Sequence, residues 1–424
     1  MKKVFLTAFA LVLGVSLAMA QSNKSDVDVN GNSNTQAISQ TGNSNLSDVD
    51  VNGNDNGIDV IQDGNNHDAT TSQTGNDNVS KLNQDGNSGA RALITQDGDR
   101  NTLQNSKTNT AFGDFARQRP RSDFELLQQG DDNTMGLFQN NQKNRAYVQQ
   151  IGNENEADVA QVAFGGAVNG NQTDLDQIGN ANKTEVVQGV LGAGHDENTA
   201  TISITGNDNG NTGNGAAGDD WMTFEQFGDF NSINATVVGD RNDVDVTQQG
   251  DDNSALVEAG VFGGANDNSV SFDQDGDMNY LEAKLVAGSE DNAVTAAQDG
   301  NDNFYRFGVR GDGNTANLTV DGNDNRGSWG LTSSFPDRAN DNTLDIDVDG
   351  SGNDTSGKID GDNNDVDIVQ DGTGNFVGSN WFDRDGVDIT GDMNTVDITQ
   401  SGDGHSTVNT VTGNGNLTTV NQSN

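Results

Sequence analysis

The sequence contains no cysteine, and only 2 of its 424 residues are proline. Because no disulfide or thiolate-bound metal site can form, stability must come from repetitive hydrogen bonding or from assembly. Aromatic residues make up only 5% of the chain. Basic residues are scarce as well: 21 Lys and Arg oppose 65 Asp and Glu, which gives a formal net charge of −44. This charge disfavours nucleic acid and anionic lipid as partners, while cations and basic surfaces remain compatible with it.

Long apolar runs are absent after residue 20. The first twenty residues, MKKVFLTAFALVLGVSLAMA, combine a basic start, an apolar run and a small-residue ending at Ala18-Met19-Ala20. This pattern is typical of a cleaved secretory signal peptide, and its removal takes the net charge to −46 because Lys2 and Lys3 leave with it. No later segment approaches the roughly 18 apolar residues of a membrane span. The sequence therefore predicts a signal peptide at 1–20 and an exported mature chain located outside the cell.

The remaining composition, with 31% hydrophobic residues and 54 glycines, would by itself indicate disorder. The order of the residues indicates otherwise, because glycine recurs every eleven positions. It does so at 31, 42, 53, 64, 75 and 86, at 228, 239 and 250, at 300, 311 and 322, and at 350, 361 and 372. Each unit follows the frame N-x-[apolar]-x-[V/I/L]-x-[Q/V]-x-G-x-x, as at 242–250 and 394–402.

The apolar positions within a unit alternate with polar ones. An alternation of period two predicts a half-buried strand of about seven residues followed by a turn. A helix is excluded, since residues at i, i+2 and i+4 do not share a helical face and the units are rich in β-branched residues. In one unit, Asn364, Val366, Ile368 and Gln370 should point inward.

Alignment of all units predicts thirty-five strands, whose first inward residues run from 23 to 416. Extra residues follow the strands that begin at 155, 182, 253, 279 and 325, and shortened connections follow those at 112 and 375. All of these strands are odd-numbered, so two strands per turn would place every length change on one edge. We therefore predict an all-β fold for residues 21–424. It is a single parallel two-sheet β-solenoid of about 22 residues per rung and about 17 rungs, with loop insertions on one edge.

Inward Asn and Gln side chains are expected to stack on their equivalents in neighbouring rungs, so that buried amides pair along the axis. The turn glycines are expected to adopt positive φ. The predicted ladder and turn residues are Gln40, Gly42, Asn45, Gln62, Gly64, Gln84, Gly86, Gln128, Gly130, Asn133, Gln150, Gly152, Asn155, Gln177, Gly179, Asn182, Gln248, Gly250, Asn253, Gln274, Gly276, Asn279, Gln298, Gly300, Asn303, Gln370, Gly372 and Asn375.

The best copies of the repeat read [N/S]-x5-Q-x-G-x-x-N-x-A-x3-Q. The segment 144–161, NRAYVQQIGNENEADVAQ, and the segment 122–139, SDFELLQQGDDNTMGLFQ, carry this pattern, and partial copies extend over about 23–424. The pattern resembles the curlin repeat of curli, the functional amyloid fibres of bacterial surfaces. The resemblance implies a secreted, non-enzymatic subunit that polymerises with itself into fibres of the biofilm matrix. It also implies two partners, a nucleating subunit and an outer-membrane secretion pore.

An alternative function is that of a monomeric, acidic β-solenoid acting as an adhesin or a cation-binding surface protein. Its insertions would then make the contacts, through Trp221, Trp329 and Trp381, although covering a solenoid edge is the favoured role for these segments. The Asp-rich turns at 274–279 and 320–325 lack the EF-hand frame and the nine-residue calcium repeat. Turn propensity explains them, and weak, distributed Ca²⁺ binding is the only cofactor interaction considered.

Catalysis is not expected. Carboxylates occupy outward positions in register, without a clustered arrangement with Lys or Arg. His67 and His405 occupy the Asn position of the frame and His195 lies in an insertion, so we assign all three a structural or solvent-facing role. No catalytic residue and no metal ligand is predicted.

Overall fold

The computed structural model describes residues 22–107, 114–140, 142–162, 170–189, 197–210, 221–260, 264–286, 288–331, 339–378 and 386–424. The predicted signal peptide lies outside these ranges and stays a prediction, and His195 and Trp381 also lie outside them. Within the described ranges, the chain has no helix that is both long and apolar enough to cross a membrane.

Thirty-five β-strands make up the regular structure of the described residues. Alternating side chains and frequent turn residues favour short strands over helices throughout. The strands are β1 Lys24–Asn30, β2 Thr35–Asn43, β3 Leu46–Asn52, β4 Gly57–Asn65, β5 Asp68–Thr74, β6 Val79–Gly86, β7 Arg91–Asp97, β8 Thr102–Asn105, β9 Ala116–Gln118, β10 Asp123–Gln129, β11 Thr134–Gln139, β12 Arg145–Ile151, β13 Glu156–Gln161, β14 Gln172–Ile178, β15 Lys183–Gln188, β16 Thr199–Thr205, β17 Met222–Phe227, β18 Ser232–Val238, β19 Asp243–Gln249, β20 Ser254–Ala259, β21 Ser269–Asp275, β22 Tyr280–Leu285, β23 Ala293–Asp299, β24 Phe304–Val309, β25 Thr315–Asp321, β26 Arg326–Leu331, β27 Thr343–Ser351, β28 Asp354–Asp360, β29 Asp365–Thr373, β30 Phe376–Val377, β31 Val387–Thr390, β32 Thr395–Ser401, β33 Ser406–Thr407, β34 Asn409–Thr412 and β35 Leu417–Ser423.

Two parallel sheets contain all of these strands. Sheet A consists of β1, β3, β5, β7, β10, β12, β14, β16, β18, β20, β22, β24, β26, β28, β30, β31, β33 and β34, and sheet B consists of the others. The chain passes from a strand of sheet A to one of sheet B and back, so each strand pairs with the equivalent strand of the next rung. In sheet B, for example, Gln40 of β2 is in register with Gln62 of β4. The predicted two-sheet parallel β-solenoid is confirmed.

Three strand positions are divided between two short strands. Both β8 and β9 pair with β11, and both β30 and β31 pair with β28. In the next rung, β33 pairs with β30, and β34 pairs with β31. Counting each divided strand once leaves sixteen positions in each sheet. The solenoid therefore has sixteen rungs, about 70 Å in length at about 4.8 Å per step, instead of about seventeen.

The predicted placement of all insertions on one edge is wrong. Residues 162–171 connect β13 of sheet B to β14 of sheet A, whereas residues 260–268 connect β20 of sheet A to β21 of sheet B. The two connections lie on opposite edges. The units were miscounted because an insertion within one strand, as between β8 and β9, makes the two parts of that strand resemble two units. The unit predicted to begin at 112 lies partly outside the described residues, and its described end is β9, which shares one sheet B position with β8. Counting the two as separate strands reversed the odd and even numbering of the next units, which include β10, β12 and β14.

The core lies between the two sheets. Alternate residues point into it, as predicted: Val366 and Ile368 are 0% exposed, and Asn364 and Gln370 on either side of them are buried. Apolar side chains form the middle columns of each sheet, while Asn and Gln fill the columns next to the turns. This arrangement places a dry centre between two polar, hydrogen-bonded margins.

Candidate functional site: the stacked amide ladders

Sixteen asparagines, one for each of the sixteen sheet B positions, form a continuous ladder. The backbone N–H of each donates to the side-chain Oδ1 of its equivalent one rung earlier, as from Asn56 to Asn34 at 2.9 Å. The sequence spacing of these contacts ranges from 22 to 33 residues, yet the bond is repeated at every step. The ladder consists of Asn34, Asn56, Asn78, Asn101, Asn133, Asn155, Asn182, Asn209, Asn242, Asn268, Asn292, Asn314, Asn342, Asn364, Asn394 and Asn416.

The Nδ2 groups of these asparagines stabilise the neighbouring turns. Asn56 donates to the carbonyl oxygen of Gly75 at 2.8 Å, and Asn155 donates to that of Gly179 at 2.8 Å. These asparagines thus satisfy backbone carbonyls in turns where no strand partner is available. A polar side chain is accommodated inside because its donors and acceptor are all paired.

Sheet A has a similar ladder in which histidine twice replaces asparagine, at His67 and His405. His67 accepts a hydrogen bond at Nδ1 from the backbone N–H of Ala90 at 3.1 Å, and its Nε2 lies 2.9 Å from the oxygen of Gly86. These contacts require a neutral ring with the proton on Nε2. Burial is the main cause that lowers the pKa of the His67 imidazole, against backbone contacts to Gly86 and Asp63 that act to raise it.

Glutamines at the other end of the strands form ladders of side-chain hydrogen bonds. In sheet B, Gln188 donates from Nε2 to Oε1 of Gln226 at 2.9 Å and accepts at Oε1 from Gln161 at 2.9 Å. The sheet B ladders comprise Gln40, Gln62, Gln84 and Gln118; Gln139, Gln161, Gln188, Gln226, Gln248, Gln274 and Gln298; and Gln370, Gln400 and Gln422. Buried Val320 and Val348 separate the last two groups.

A shorter glutamine ladder lies in sheet A. It joins Gln73, Gln96, Gln128, Gln150 and Gln177 through contacts of 2.7–2.9 Å. Beyond Gln177, the same column continues with Ile204 and Val237, both of which are buried. Amides therefore line both sheets in the first half of the solenoid, and one sheet in the second half.

The glutamines named from the sequence are distributed over both sheets. Gln128, Gln150 and Gln177 lie in sheet A, and the other seven lie in sheet B. The named asparagines divide similarly: Asn133, Asn155 and Asn182 precede sheet B strands, and the remaining five precede sheet A strands. The exceptions have the same cause as the miscounted rungs. Because β8 and β9 were counted as two units, the strands that follow them were predicted to lie in the opposite sheets. Sequence reasoning missed Gln73, Gln96, Gln118, Gln139, Gln161, Gln188, Gln226 and Gln400, although each occupies the Gln position of the repeat frame.

Turn glycines permit the rungs to approach one another closely. Gly152 has φ +119°, and a Cβ on it would lie 1.8 Å from the carbonyl oxygen of Gly179 in the next rung. Both the conformation and the contact exclude a side chain. Two residues later, Glu154 has φ 58°, in the left-handed region that an L-residue adopts at a cost.

Carboxylates form columns on the outer face of sheet B. Five of them occupy consecutive rungs in register: Asp275, Asp299, Asp321, Asp349 and Asp371. In a second column, partial burial is the main cause that raises the pKa of Asp367, and Asp397 and Asp345 add to it. At a spacing of about 4.8 Å, like charges repel appreciably. No group of three or more His, Asp or Glu side chains in the described ranges is arranged to hold a metal ion.

The Asp-rich turns at 274–279 and 320–325 consist of residues that belong to the ladders, the core and the acidic columns. In the turn at 274–279, Gln274 and Asn279 are members of the buried ladders, and Asp275 belongs to the acidic column. In the turn at 320–325, Val320 is in the core and Asn325 is in the sheet A ladder. Turn geometry therefore accounts for these residues.

The two tryptophans among the described residues are both buried or nearly so. Trp329 lies in β26 and is buried, and its Nε1 donates to Thr355 Oγ1 at 3.2 Å, so its predicted exposure in an insertion is wrong. Trp221 is also largely buried, and its ring centroid lies 4.2 Å from Nζ of Lys107. The same ammonium group forms an ion pair with Glu156. Trp221 thus packs against sheet B, in agreement with the favoured covering role.

An aromatic cluster is instead displayed by regular strands of sheet A. Tyr280 and Phe304 stack with ring centroids 4.8 Å apart, and the Arg306 guanidinium carbon lies 4.6 Å from the Phe304 centroid. The Tyr280 hydroxyl donates to Glu282 Oε2 at 2.6 Å. Burial, followed by this hydrogen bond, raises the pKa of Tyr280 to about 12. The cluster shows that aromatic side chains can follow the same rung-to-rung stacking as the amides.

The fold and the ladders define a class of protein, an all-parallel β-solenoid whose margins are stacked amides. A family model for the curlin associated repeat matches residues 53–86, 130–162, 239–276, 361–402 and 391–423. These five segments of the chain are therefore curlin associated repeats, and the family built from such repeats is a structural one and not an enzymatic one. A search of curated proteins returned no match.

Proposed function

We propose that this chain is a secreted structural subunit that stacks end to end on further copies of itself to form curli-like extracellular fibres. The observation that carries the proposal is the polarity of the ladders. At every step in sheet B the later asparagine donates its N–H backward to Oδ1, and within each glutamine ladder the earlier glutamine donates its Nε2 forward to Oε1. The two ends of the described solenoid consequently present opposite hydrogen-bonding groups.

These groups are complementary. In the last rung, Asn416 donates its N–H to Asn394 Oδ1, and Gln422 accepts at Oε1 from Gln400. By the interior pattern, Oδ1 of Asn416 is then the onward acceptor and Nε2 of Gln422 the onward donor. The first rung begins with the backbone N–H of Asn34 and with Oε1 of Gln40. A second copy in the same orientation would repeat the interior bonds, from Asn34 to Asn416 and from Gln422 to Gln40. Such head-to-tail contact does not close, so it produces a filament.

Apolar surface at the first rung supports the same proposal. Val27 and Val29 of β1 are 44% and 39% exposed, whereas Val49 and Val51, one rung further in the same columns, are 1% and 0% exposed. The inward-facing valines of β1 thus have a partner on one side only within the described residues. A stacked copy would bury them, and burial of apolar surface is the main driving force of association.

Purified protein incubated at neutral pH provides the test. We expect thioflavin-positive filaments, a shortened lag phase on addition of sonicated seeds, and fibre diffraction at about 4.7 Å and 10 Å. A chain that stays monomeric at high concentration over days, with or without seeds, contradicts the proposal. Further expectations follow from the family alone: a role in biofilm adhesion and aggregation, a nucleating subunit, and export through an outer-membrane pore.

The acidic columns favour one alternative, a monomeric cell-surface solenoid that binds cations or basic surfaces. That protein would remain monomeric in the same experiment. It would also bind cationic beads in a manner that weakens steeply with salt, because exposed charges are screened over about 8 Å at physiological ionic strength. No catalytic role is proposed for any residue.

A further inference from the structure

His405 stands at the last sheet A position of the described solenoid, where the frame normally has asparagine. Its backbone N–H donates to Asn375 Oδ1 at 3.0 Å, which is the ordinary ladder contact. Its Nε2 lies 3.1 Å from the carbonyl oxygen of Ser401. An N–H facing a carbonyl oxygen must donate, so in the neutral ring Nδ1 carries the lone pair.

His67 shows what a histidine does at this position when another rung follows. Its Nδ1 accepts the backbone N–H of Ala90 from that next rung, and its Nε2–H lies against the oxygen of Gly86. The stacked interior can hold only the neutral ring in this arrangement, since a protonated Nδ1 would face another donor. His67 is 1% exposed, so water cannot replace the lost contact.

We propose that His405 is the acceptor at the joint between consecutive copies of this chain, and that its protonation slows fibre growth. This inference rests on the proposed end-to-end assembly. In the joint, Nδ1 of His405 receives the backbone N–H of Asn23 from the incoming copy, as His67 receives that of Ala90. Acid converts Nδ1 to a donor, and two donors then face each other at the contact that admits the next subunit.

Other charged groups surround this contact and must be separated from it. On the His405 side these are Asp403 in the same turn and Asp371 in the turn one rung earlier. On the incoming copy, Lys24 follows Asn23, while the adjoining turn at 41–45 has no charged residue. Acid also reduces the repulsion between subunits that carry a formal charge of −44, which by itself accelerates assembly.

The substitution His405→Asn isolates the histidine, because it restores the ordinary ladder residue and leaves every carboxylate in place. Seeded elongation rates of wild type and this variant are measured at pH 8 and pH 5. We expect similar rates at pH 8. At pH 5 the variant should elongate at least about fivefold faster than wild type, the equivalent of about 1 kcal/mol for one contact.

Matched controls exist within the chain. The variant His67→Asn makes the same replacement inside the solenoid, and its elongation should retain the pH dependence of wild type. Circular dichroism of the monomers at both pH values checks that all variants are folded. A ratio of variant to wild-type rates that is the same at pH 5 and pH 8, with fibres present, overturns the role of His405. Absence of fibres from every protein at both pH values would instead overturn the proposed assembly, and this inference with it.

Discussion

The backbone N–H of Asn242 lies 2.9 Å from Oδ1 of Asn209, although the two residues are 33 positions apart in the chain. Asn56 and Asn34, separated by 22 positions, have the same contact at the same distance. The contact is therefore made once per rung, whatever the number of residues between the two asparagines. An insertion changes the length of the chain between two asparagines without changing the step along the axis, so the solenoid tolerates insertions while its end surfaces stay in register.

Substitution of Gln188 tests the energetic value of a complete glutamine ladder. Gln188→Val removes hydrogen-bonding partners from both Gln161 and Gln226, whereas Gln298→Val removes the partner of Gln274 only, because Val320 follows Gln298 in the column. Since an orphaned buried amide costs about 1–3 kcal/mol, we expect Gln188→Val to reduce the free energy of unfolding by about 2–4 kcal/mol, and by clearly more than Gln298→Val. Urea denaturation of soluble monomer measures both; equal losses would show that the bonds between glutamines contribute little.

Alanine at a turn glycine should be severely destabilising. In Gly152→Ala the new Cβ would lie 1.8 Å from the Gly179 oxygen, in a backbone conformation that L-residues avoid. We expect a loss of at least about 3 kcal/mol in unfolding free energy, or failure to fold. The control is Gly57→Ala, where a Cβ would meet no atom within 4 Å, and which should leave stability unchanged or slightly raised. Comparable losses in both variants would contradict the close approach of the rungs.

Carboxylate stacking predicts a pH dependence of stability. The folded-state pKa of Asp367 is raised, chiefly by burial and then by Asp397, so this residue favours the folded state below its unfolded pKa and loses that contribution as pH rises through the folded pKa. We expect Asp367→Asn to raise the urea midpoint at pH 7, with the gain disappearing towards about pH 4, near the ordinary Asp pKa.

Asp132 provides the comparison of opposite sign. Its hydrogen bond with Arg100 lowers its pKa, so its contribution is present above the unfolded pKa and is lost as pH falls through the folded one. Asp132→Asn should therefore lower the urea midpoint at pH 7. If both variants shift the midpoint in the same direction at pH 7, the electrostatic interpretation is wrong.

Repulsion between acidic subunits predicts that cations accelerate assembly. Each chain has a formal net charge of −44, and screening shortens the range of repulsion to about 8 Å at 0.15 M salt. We expect faster polymerisation as NaCl is raised, and a further increase with CaCl₂ at matched ionic strength if Ca²⁺ also binds weakly along the columns of Asp275 to Asp371. A rate insensitive to both salts would dispose of this expectation. Acceleration that depends on ionic strength alone would remove the calcium component.

The local rules of the fold could be derived from the sequence. The alternation in Asn364, Val366, Ile368 and Gln370 determined which residues face the core, since a strand places successive side chains on opposite faces. The eleven-residue recurrence of glycine determined where the turns fall, because positive φ and close backbone approach require that residue. Together these two periodicities were sufficient for the parallel two-sheet solenoid and for stacking of equivalent amides.

The tertiary structure decided which units are neighbours. Whether β8 and β9 are two successive strands or two parts of one sheet position depends on their common pairing with β11, a contact between residues distant in sequence. Pairings of divided strands such as these decided the number of rungs, and the pairing of β8 and β9 decided the sheet to which Gln128, Gln150 and Gln177 belong. The tertiary structure also places His67 between two rungs, where its contacts require a neutral ring, and buries Trp329 in the core. A period in sequence determines the form of each unit, whereas register is determined only by the hydrogen bonds between units.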